Sequence, residues 1–264
     1  MGSIQSLLFL NLALAVGVMF VVWLWSLRIQ DVSIIDIAWG ASGAFLAIST
    51  FALTSGYLPR KILIAGMTVA WGFRLAAHIG WRKKGKGEDF RYAAMRENNP
   101  ASFPARSLVT VFTLQAFLIW VISLPVQVTQ ASPIPPTLTF LDYLGFAVWL
   151  TGFAFEVISD WQLSRFLADP ANRGRVMDRG LWRYSRHPNY FGDAVVWWGI
   201  FLVATATPNG WLTVFSPILM SLLLTRVSGV PLLDKALAER RPGYREYMHR
   251  TSSFIPWPPK KPSS

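Results

Sequence analysis

The densest collection of groups able to do chemistry lies in residues 180–193. There Arg183, Tyr184, Arg186, His187, Asn189, Tyr190 and Asp193 fall within one short stretch ahead of an apolar run that begins near Ala194. Pro188 suits the first turn of a helix, because the amide hydrogen that proline lacks has no intrahelical acceptor there. Arg183, Arg186 and His187 would then lie beside the positive end of a helix dipole and its open backbone N–H groups, an arrangement suited to phosphate. The same cluster also reads as a juxtamembrane basic patch that touches only lipid headgroups, and composition alone does not separate the two.

A second set of candidates lies within or beside long apolar stretches: Asp36, Arg74, His78, Glu156 and Asp160. Ionisable groups are costly in lipid, so they face a polar interior or one another and are functional candidates by default. Each also has a plainer role. Asp36 could pair with Arg74 and tie two helices together, Glu156 and Asp160 share a helix face and could sit at the aqueous boundary, and His78 could be an interfacial histidine. Glu88, Asp89, Arg91 and Tyr92 form a polar loop that reads equally as a solvated connector. The chain has no cysteine, which excludes disulfides, thiolate nucleophiles and cysteine-ligated metal, and no metal site is expected. No G-x-G-x-x-G follows a strand, so a Rossmann domain is not the carrier of any nucleotide.

The elements that must position these groups are membrane spans. Of 264 residues, 53% are hydrophobic and only 15% charged, against about a quarter charged in an ordinary soluble domain. Apolar stretches of about 20 residues, long enough to cross a ~30 Å hydrocarbon core, recur at 6–27, 33–54, 60–80, 107–128, 138–160, 189–207 and 210–227. The first is longer than a signal-peptide core, has no basic residue before it and reads as a retained span. The expectation is an all-α, polytopic membrane protein of about seven transmembrane helices, folded as a single membrane domain over residues 1–264. Its 13 tryptophans suit interfacial belts.

Charge gives the expected orientation. Lys and Arg number seven in residues 82–106, six in 165–186 and eight in 226–261, while 129–137 and 208–210 have none. Basic loops stay cytoplasmic, so seven spans put the N-terminus outside and the C-terminus in the cytoplasm. Arg60 and Lys61, in a short external loop, are the misfit. A net charge of +11 would permit nucleic acid, but the basic residues lie in short runs between apolar segments. Anionic lipid and an anionic cofactor are the better counter-charges, and no nucleic-acid partner is expected.

The stretch Ser185-Arg186-His187-Pro188-Asn189-Tyr190-Phe191-Gly192-Asp193 resembles the signature near the C-terminus of the steroid 5α-reductase family and related sterol reductases. Glu156 and Asp160 followed by Arg165, and the closing Pro242-Gly243-Tyr244-Arg245-Glu246-Tyr247 with Phe254-Ile255-Pro256, extend the likeness over about 140–258. Asp36-Ile37-Ala38-Trp39-Gly40 and the pieces from Arg74 to His78 and Gly87 to Tyr92 are similar to a bacterial branch of the superfamily whose substrates are largely unassigned. They depart from the animal enzymes, in which a glutamine-glutamate pair on the second span and a tyrosine on the third polarise the substrate ketone.

The resemblance implies an NADPH site in the C-terminal part, facing the cytoplasm of a bacterial inner membrane. Asp160 and Asn189 would be polar anchors, with Arg165, Arg183 and Arg186 near the phosphates and Tyr184, His187, Tyr190 and Asp193 lining the pocket. It implies hydride transfer to an activated C=C bond of a hydrophobic enone, such as a 3-oxo-Δ4 steroid or related lipid. Asp36, His78 and Tyr92 are the candidates to supply the proton. Two other readings stay open: an isoprenylcysteine carboxyl methyltransferase-like enzyme using S-adenosylmethionine, whose family also carries an arginine-histidine-proline signature before a late span, and a non-catalytic lipid-binding membrane protein. Neither the oligomeric state nor the acceptor lipid is legible.

Overall fold

Long apolar runs punctuated by proline and glycine fold as helices. The computed structural model describes residues 3–227 and 229–260, and every regular element among them is helical. Close packing divides the chain into two units, one of Met1–Asp142 with Val203–Thr213 and the other of Tyr143–Leu202 with Val214–Ser264.

In the first unit, α1 (Ile4–Ile29) begins where the Ser3 hydroxyl accepts from the Ser6 amide, satisfying one of the open N–H groups of the first turn. α2 (Ile34–Leu53) and α3 (Leu58–Lys83) follow, with Pro59 in the first turn of α3. These two helices approach closely through glycine: a Cβ on Gly40 would lie 2.5 Å from the Gly72 carbonyl oxygen. Small residues at such a crossing let backbones meet where lipid offers no hydrophobic drive. α4 (Phe90–Asn98) is a short polar helix. A longer run then passes through α5 (Phe103–Ser107), a π-helical turn at Leu108–Thr113 and α6 (Leu114–Ile122), and breaks at Ser123 before α7 (Leu124–Ala131), whose first turn holds Pro125. Proline removes a donor, so the stretch expected at 107–128 is two helices.

Polar clamps hold this unit from inside. Asn11 on α1, fully buried, donates to Thr50 Oγ1 of α2 at 2.9 Å and to Gln127 Oε1 of α7 at 3.0 Å. Gln130 donates to the Ala47 carbonyl at 3.1 Å. The misfit cations also find their place. Arg60 is buried in a forked pair with Asp142, Nε to Oδ1 at 2.7 Å and Nη2 to Oδ2 at 2.9 Å, and gives two further hydrogens to the carbonyls of Pro135 and Thr137. Lys61 is spent on the carbonyls of Phe51 and Thr54 at the end of α2. Neither is a solvated loop charge, so neither counts against the charge asymmetry of the loops.

The second unit contains most of α8 (Phe140–Ala168) and α9 (Pro188–Thr205), followed by α10 (Phe215–Leu222), α11 (Val230–Arg240) and α12 (Tyr244–Arg250). α8 and α9 cross at Gly152 and Gly192, where a Cβ on either would lie 2.6 Å from the other's carbonyl oxygen. α8 runs well past the expected end at 160, which carries Arg165 into its last turn.

Among the described residues, six segments are long and apolar enough to cross a membrane: Ile4–Ile29, Ile34–Leu53, Leu58–Lys83, Phe103–Ile122, Phe140–Ala168 and Gly210–Arg240. The seventh expected span is α9, a helix of 18 residues whose Asn189, Tyr190, Gly192 and Asp193 dilute its apolar character. The chain is a polytopic, all-helical membrane protein.

Candidate functional site

Two polar centres emerge, one within each unit. In the first unit, Asp36 lies in the first turn of α2. Arg91 Nη2 reaches its Oδ2 at 2.9 Å and the Tyr92 hydroxyl donates to its Oδ1 at 3.1 Å. Both partners come from α4, whose start is fixed by Asp89: its Oδ1 accepts from the Arg91 amide at 3.0 Å and from Arg91 Nε at 2.8 Å. A carboxylate at a helix start satisfies an open donor and favours the dipole. Arg91 therefore bridges two carboxylates, one that begins its own helix and one on α2.

The rest of the loop is equally committed. Glu88 accepts from the Val32 amide at 2.8 Å and from Arg96 at 2.9 and 3.0 Å, and Lys83 pairs with Asp31 at 2.6 Å while also donating to Ser33. The stretch from Glu88 to Tyr92 is thus a docked polar element and not a solvated connector. Electrostatics follow from this. Burial pushes the Asp89 carboxyl up, but the bond and charge of Arg91 prevail and hold it below the ordinary carboxylate range. Burial, then the neighbouring Asp36 charge, pushes the Tyr92 phenol well above its ordinary value. Tyr92, 8% exposed, is a phenol that stays protonated at any physiological pH. Of the expected proton donors, the structure brings Asp36 and Tyr92 together. His78 lies half-buried on α3, with its ring 6.4 Å from that of Trp81.

In the second unit, the connection into α9 is built around a buried carboxylate. Arg186 Nη2 meets Asp234 Oδ2 at 2.6 Å, while His187 Nε2 and the Tyr244 hydroxyl meet Asp234 Oδ1 at 2.9 and 2.7 Å. Arg186 Nη1 donates to the carbonyls of Met248 and Thr251 at 3.0 and 2.7 Å. This gives Arg186 a different task from the phosphate contact expected of it: at 8% exposure its guanidinium is spent on protein acceptors. The C-terminal segment closes over the same loop, with the Arg186 amide donating to the Ser252 carbonyl at 2.8 Å, Ser185 Oγ to that of Phe254 at 2.8 Å and the Trp257 amide to that of Tyr184 at 2.9 Å. Burial pushes the phenols of Tyr244 and Tyr247 up, and the bond to Asp234 pushes Tyr244 further.

Beside this clasp are the expected anchors. Asn189 Nδ2 donates to Asp160 Oδ1 of α8 at 3.2 Å. The rings of His187 and Tyr190 stack at 5.6 Å, 8° from parallel, and Asp193 is buried one turn after Asn189. The loop is set on α8 by Gln162, whose Oε1 accepts from the Leu181 amide at 3.0 Å. Gly180 there has φ of 58°, and any Cβ would strike the Gln162 side chain; only glycine takes that turn without strain. Arg165, over the Trp161 ring at 5.1 Å, Arg183 and Tyr184 are exposed. An open groove of about 570 Å³ at the end of α8 adds Arg173 and Arg241 to the cations of this unit.

The family model described as Protein of unknown function (DUF1295) matches residues 22–251. The chain belongs to this family. An uncharacterized protein of Schizosaccharomyces pombe is 22% identical over 89% of this chain and 76% of its own length. The 3-oxo-5-alpha-steroid 4-dehydrogenase 1 of Rattus norvegicus is 40% identical over 83 residues, and that of Mus musculus 37% over 83 residues, the match covering 31% of this chain and 30% and 31% of those enzymes. The chain thus spans about a third of the length of the steroid dehydrogenases it matches. No solved structure matches. The resemblance read from residues 185–193 is borne out: this DUF1295 chain shares partial similarity with two 3-oxo-5-alpha-steroid 4-dehydrogenases, consistent with a steroid reductase-like superfamily.

Asp234 was not among the expected site residues of this family member, although it organises Arg186, His187 and Tyr244. A signal existed: it is a lone acid in the run Val230-Pro231-Leu232-Leu233-Asp234, where an unpaired carboxylate would be costly.

Proposed function

We propose that this protein is a membrane reductase that uses NADPH to saturate an activated C=C bond of a hydrophobic enone, such as a 3-oxo-Δ4 steroid or related lipid. The observation that carries the reading is the folded Arg186-to-Asp193 segment. Its arginine and histidine are locked inward on Asp234, while Asn189 and Asp160 meet across α8 and α9, in a chain that shares sequence with two 3-oxo-5-alpha-steroid 4-dehydrogenases.

The donor set fits the cofactor. A dinucleotide with a 2′-phosphate carries several negative charges, and exposed Arg165 and Arg183 offer guanidinium forks to such oxygens. Asn189 and Asp160 would anchor polar groups, Tyr184, His187, Tyr190 and Asp193 would line the pocket, and Arg186 would hold the loop in shape through Asp234. NADPH when bound supplies the hydride.

The chain's own part is the proton. Reduction at the β-carbon of an enone moves charge onto the carbonyl oxygen, and a placed donor must meet it. Tyr92 Oη carries a proton that burial keeps in place and that rests on Asp36 Oδ1; to serve as donor its one hydrogen would turn from that carboxylate to the substrate oxygen as charge develops there. His78 is the other candidate donor. We assign the external face to the N-terminus and the cytoplasmic face to the cofactor and the C-terminus, in a bacterial inner membrane. The test is chemical. Purified protein in nanodiscs, given NADPH and a 3-oxo-Δ4 steroid or a lipid enone, should release product heavier by two hydrogens; conversion only with S-adenosylmethionine, to a methylated product, would overturn the reading.

A further inference from the structure

We propose that one end of the first unit is a binding surface for anionic lipid headgroups, built from Arg28, Arg82, Lys84, Lys86 and Arg106 around Trp81. The unit divides its charges unevenly between its two ends. The close of α1, the start of α2, the close of α3 and the start of α5 meet at this end: Lys83 pairs with Asp31, Arg96 Nη1 reaches Gln30 Oε1 at 3.4 Å, and Trp23 Nε1 donates to the Pro104 carbonyl at 3.0 Å. Five acids lie here, and four of them, Asp31, Asp36, Glu88 and Asp89, are consumed in pairs with Lys83, Arg91 and Arg96. Arg28, Arg82, Lys84, Lys86 and Arg106 are exposed. Glu97 is the one exposed acid among the described residues of this end.

The opposite end of the unit carries Arg60, Lys61 and Asp142, and all three are buried. Among the described residues of the unit, exposed charge is therefore confined to one end, and there it is strongly basic. A soluble anion would need those cations to converge, whereas they are spread over three helix ends. They also flank large exposed apolar groups, Trp81 at 65% and Phe90 at 48%. A partner bearing negative charge beside hydrocarbon fits both features, and juxtamembrane Lys and Arg with interfacial Trp are how spans engage an anionic leaflet.

The test presents the full chain with phosphatidylglycerol and phosphatidylcholine of matched acyl chains in equal amounts, and reads retained lipid by native mass spectrometry after detergent release. Wild type should retain phosphatidylglycerol preferentially, and the variant R82Q/K84Q/K86Q should lose about fivefold of that preference. R82K/K84R/K86R, which keeps the charge, should retain it, and equal melting of all three proteins in zwitterionic lipid checks that the fold is intact. Equal retention of both lipids by wild type would overturn the proposal, as would unchanged preference in the glutamine variant. Loss of the preference on adding inorganic phosphate, but not chloride of matched ionic strength, would assign the site to a soluble anion and equally overturn it.

Discussion

The Tyr92 hydroxyl donates to Asp36 Oδ1 at 3.1 Å, joining residues 56 apart in sequence and on different helices. Arg91, the neighbour of Tyr92, holds the other oxygen of the same carboxylate at 2.9 Å. One short helix thus delivers a cation and a neutral, protonated phenol to one carboxylate.

Tyr92→Phe removes the transferable proton and leaves the ring. Folding should change by no more than about 1 kcal/mol, the worth of one hydrogen bond, while NADPH-dependent reduction should fall about 100-fold or more. Reduction rates and melting of the two proteins in the same nanodiscs decide this. A variant that reduces at the wild-type rate would move the proton to His78 or to water.

The tyrosines also set an alkaline limit. In the fold, burial raises Tyr92, Tyr244 and Tyr247 above their ordinary value of 10.0. The unfolded chain ionises first as pH passes about 10, so the native state then binds more protons than the unfolded state and stability falls with further rise in pH. Melting temperature should hold through neutral pH and drop above about pH 10, less steeply in Tyr92→Phe. A flat alkaline profile would contradict the burial of these phenols.

Asp234→Asn leaves the Arg186 guanidinium buried without its counter-charge. Removing one partner of such a pair costs about 3–5 kcal/mol, so melting should collapse in the absence of any ligand. Replacing both partners with apolar residues, Arg186→Met with Asp234→Leu, should recover part of the loss. If Asp234→Asn melts like wild type, Arg186 is free to turn outward, and the phosphate role expected from the sequence returns.

Much of this was legible in advance. Span length and proline placement gave the helices, and Pro188 at the first turn of α9 is where helix-start chemistry puts it. Asp36 and Tyr92 were singled out for separate reasons, yet nothing in their spacing announces that they touch. Pairings across 82 residues, as between Arg60 and Asp142, depend on which helix ends meet, and periodicity carries no record of that. The pairing of Arg186 with Asp234 was not legible, because a basic residue before a helix start suits phosphate and an internal carboxylate alike, and the carboxylate lies 48 residues further on.

Glycines at the helix crossing should behave differently from those facing lipid. Gly40→Ala puts a Cβ 2.5 Å from the Gly72 carbonyl oxygen and forces α2 and α3 apart, whereas a Cβ at Gly66 on α3 meets nothing within 4 Å. Gly66→Ala should be neutral or stabilise by up to about 1 kcal/mol through helix propensity, and Gly40→Ala should lower melting clearly. Equal melting of the two variants would contradict the α2–α3 crossing.

The most direct test of the account is ligand-dependent thermal stability of the purified protein, measured with NADPH, NADP or S-adenosylmethionine, since a ligand that binds only the folded state raises apparent stability. Melting temperature should rise with NADPH and NADP and stay unchanged with S-adenosylmethionine. Asn189→Ala, which loses the 3.2 Å bond to Asp160, should melt within about 1 kcal/mol of wild type without ligand and gain little from NADPH. Stabilisation by S-adenosylmethionine alone, or an Asn189→Ala protein stabilised by NADPH as much as wild type, would contradict the account.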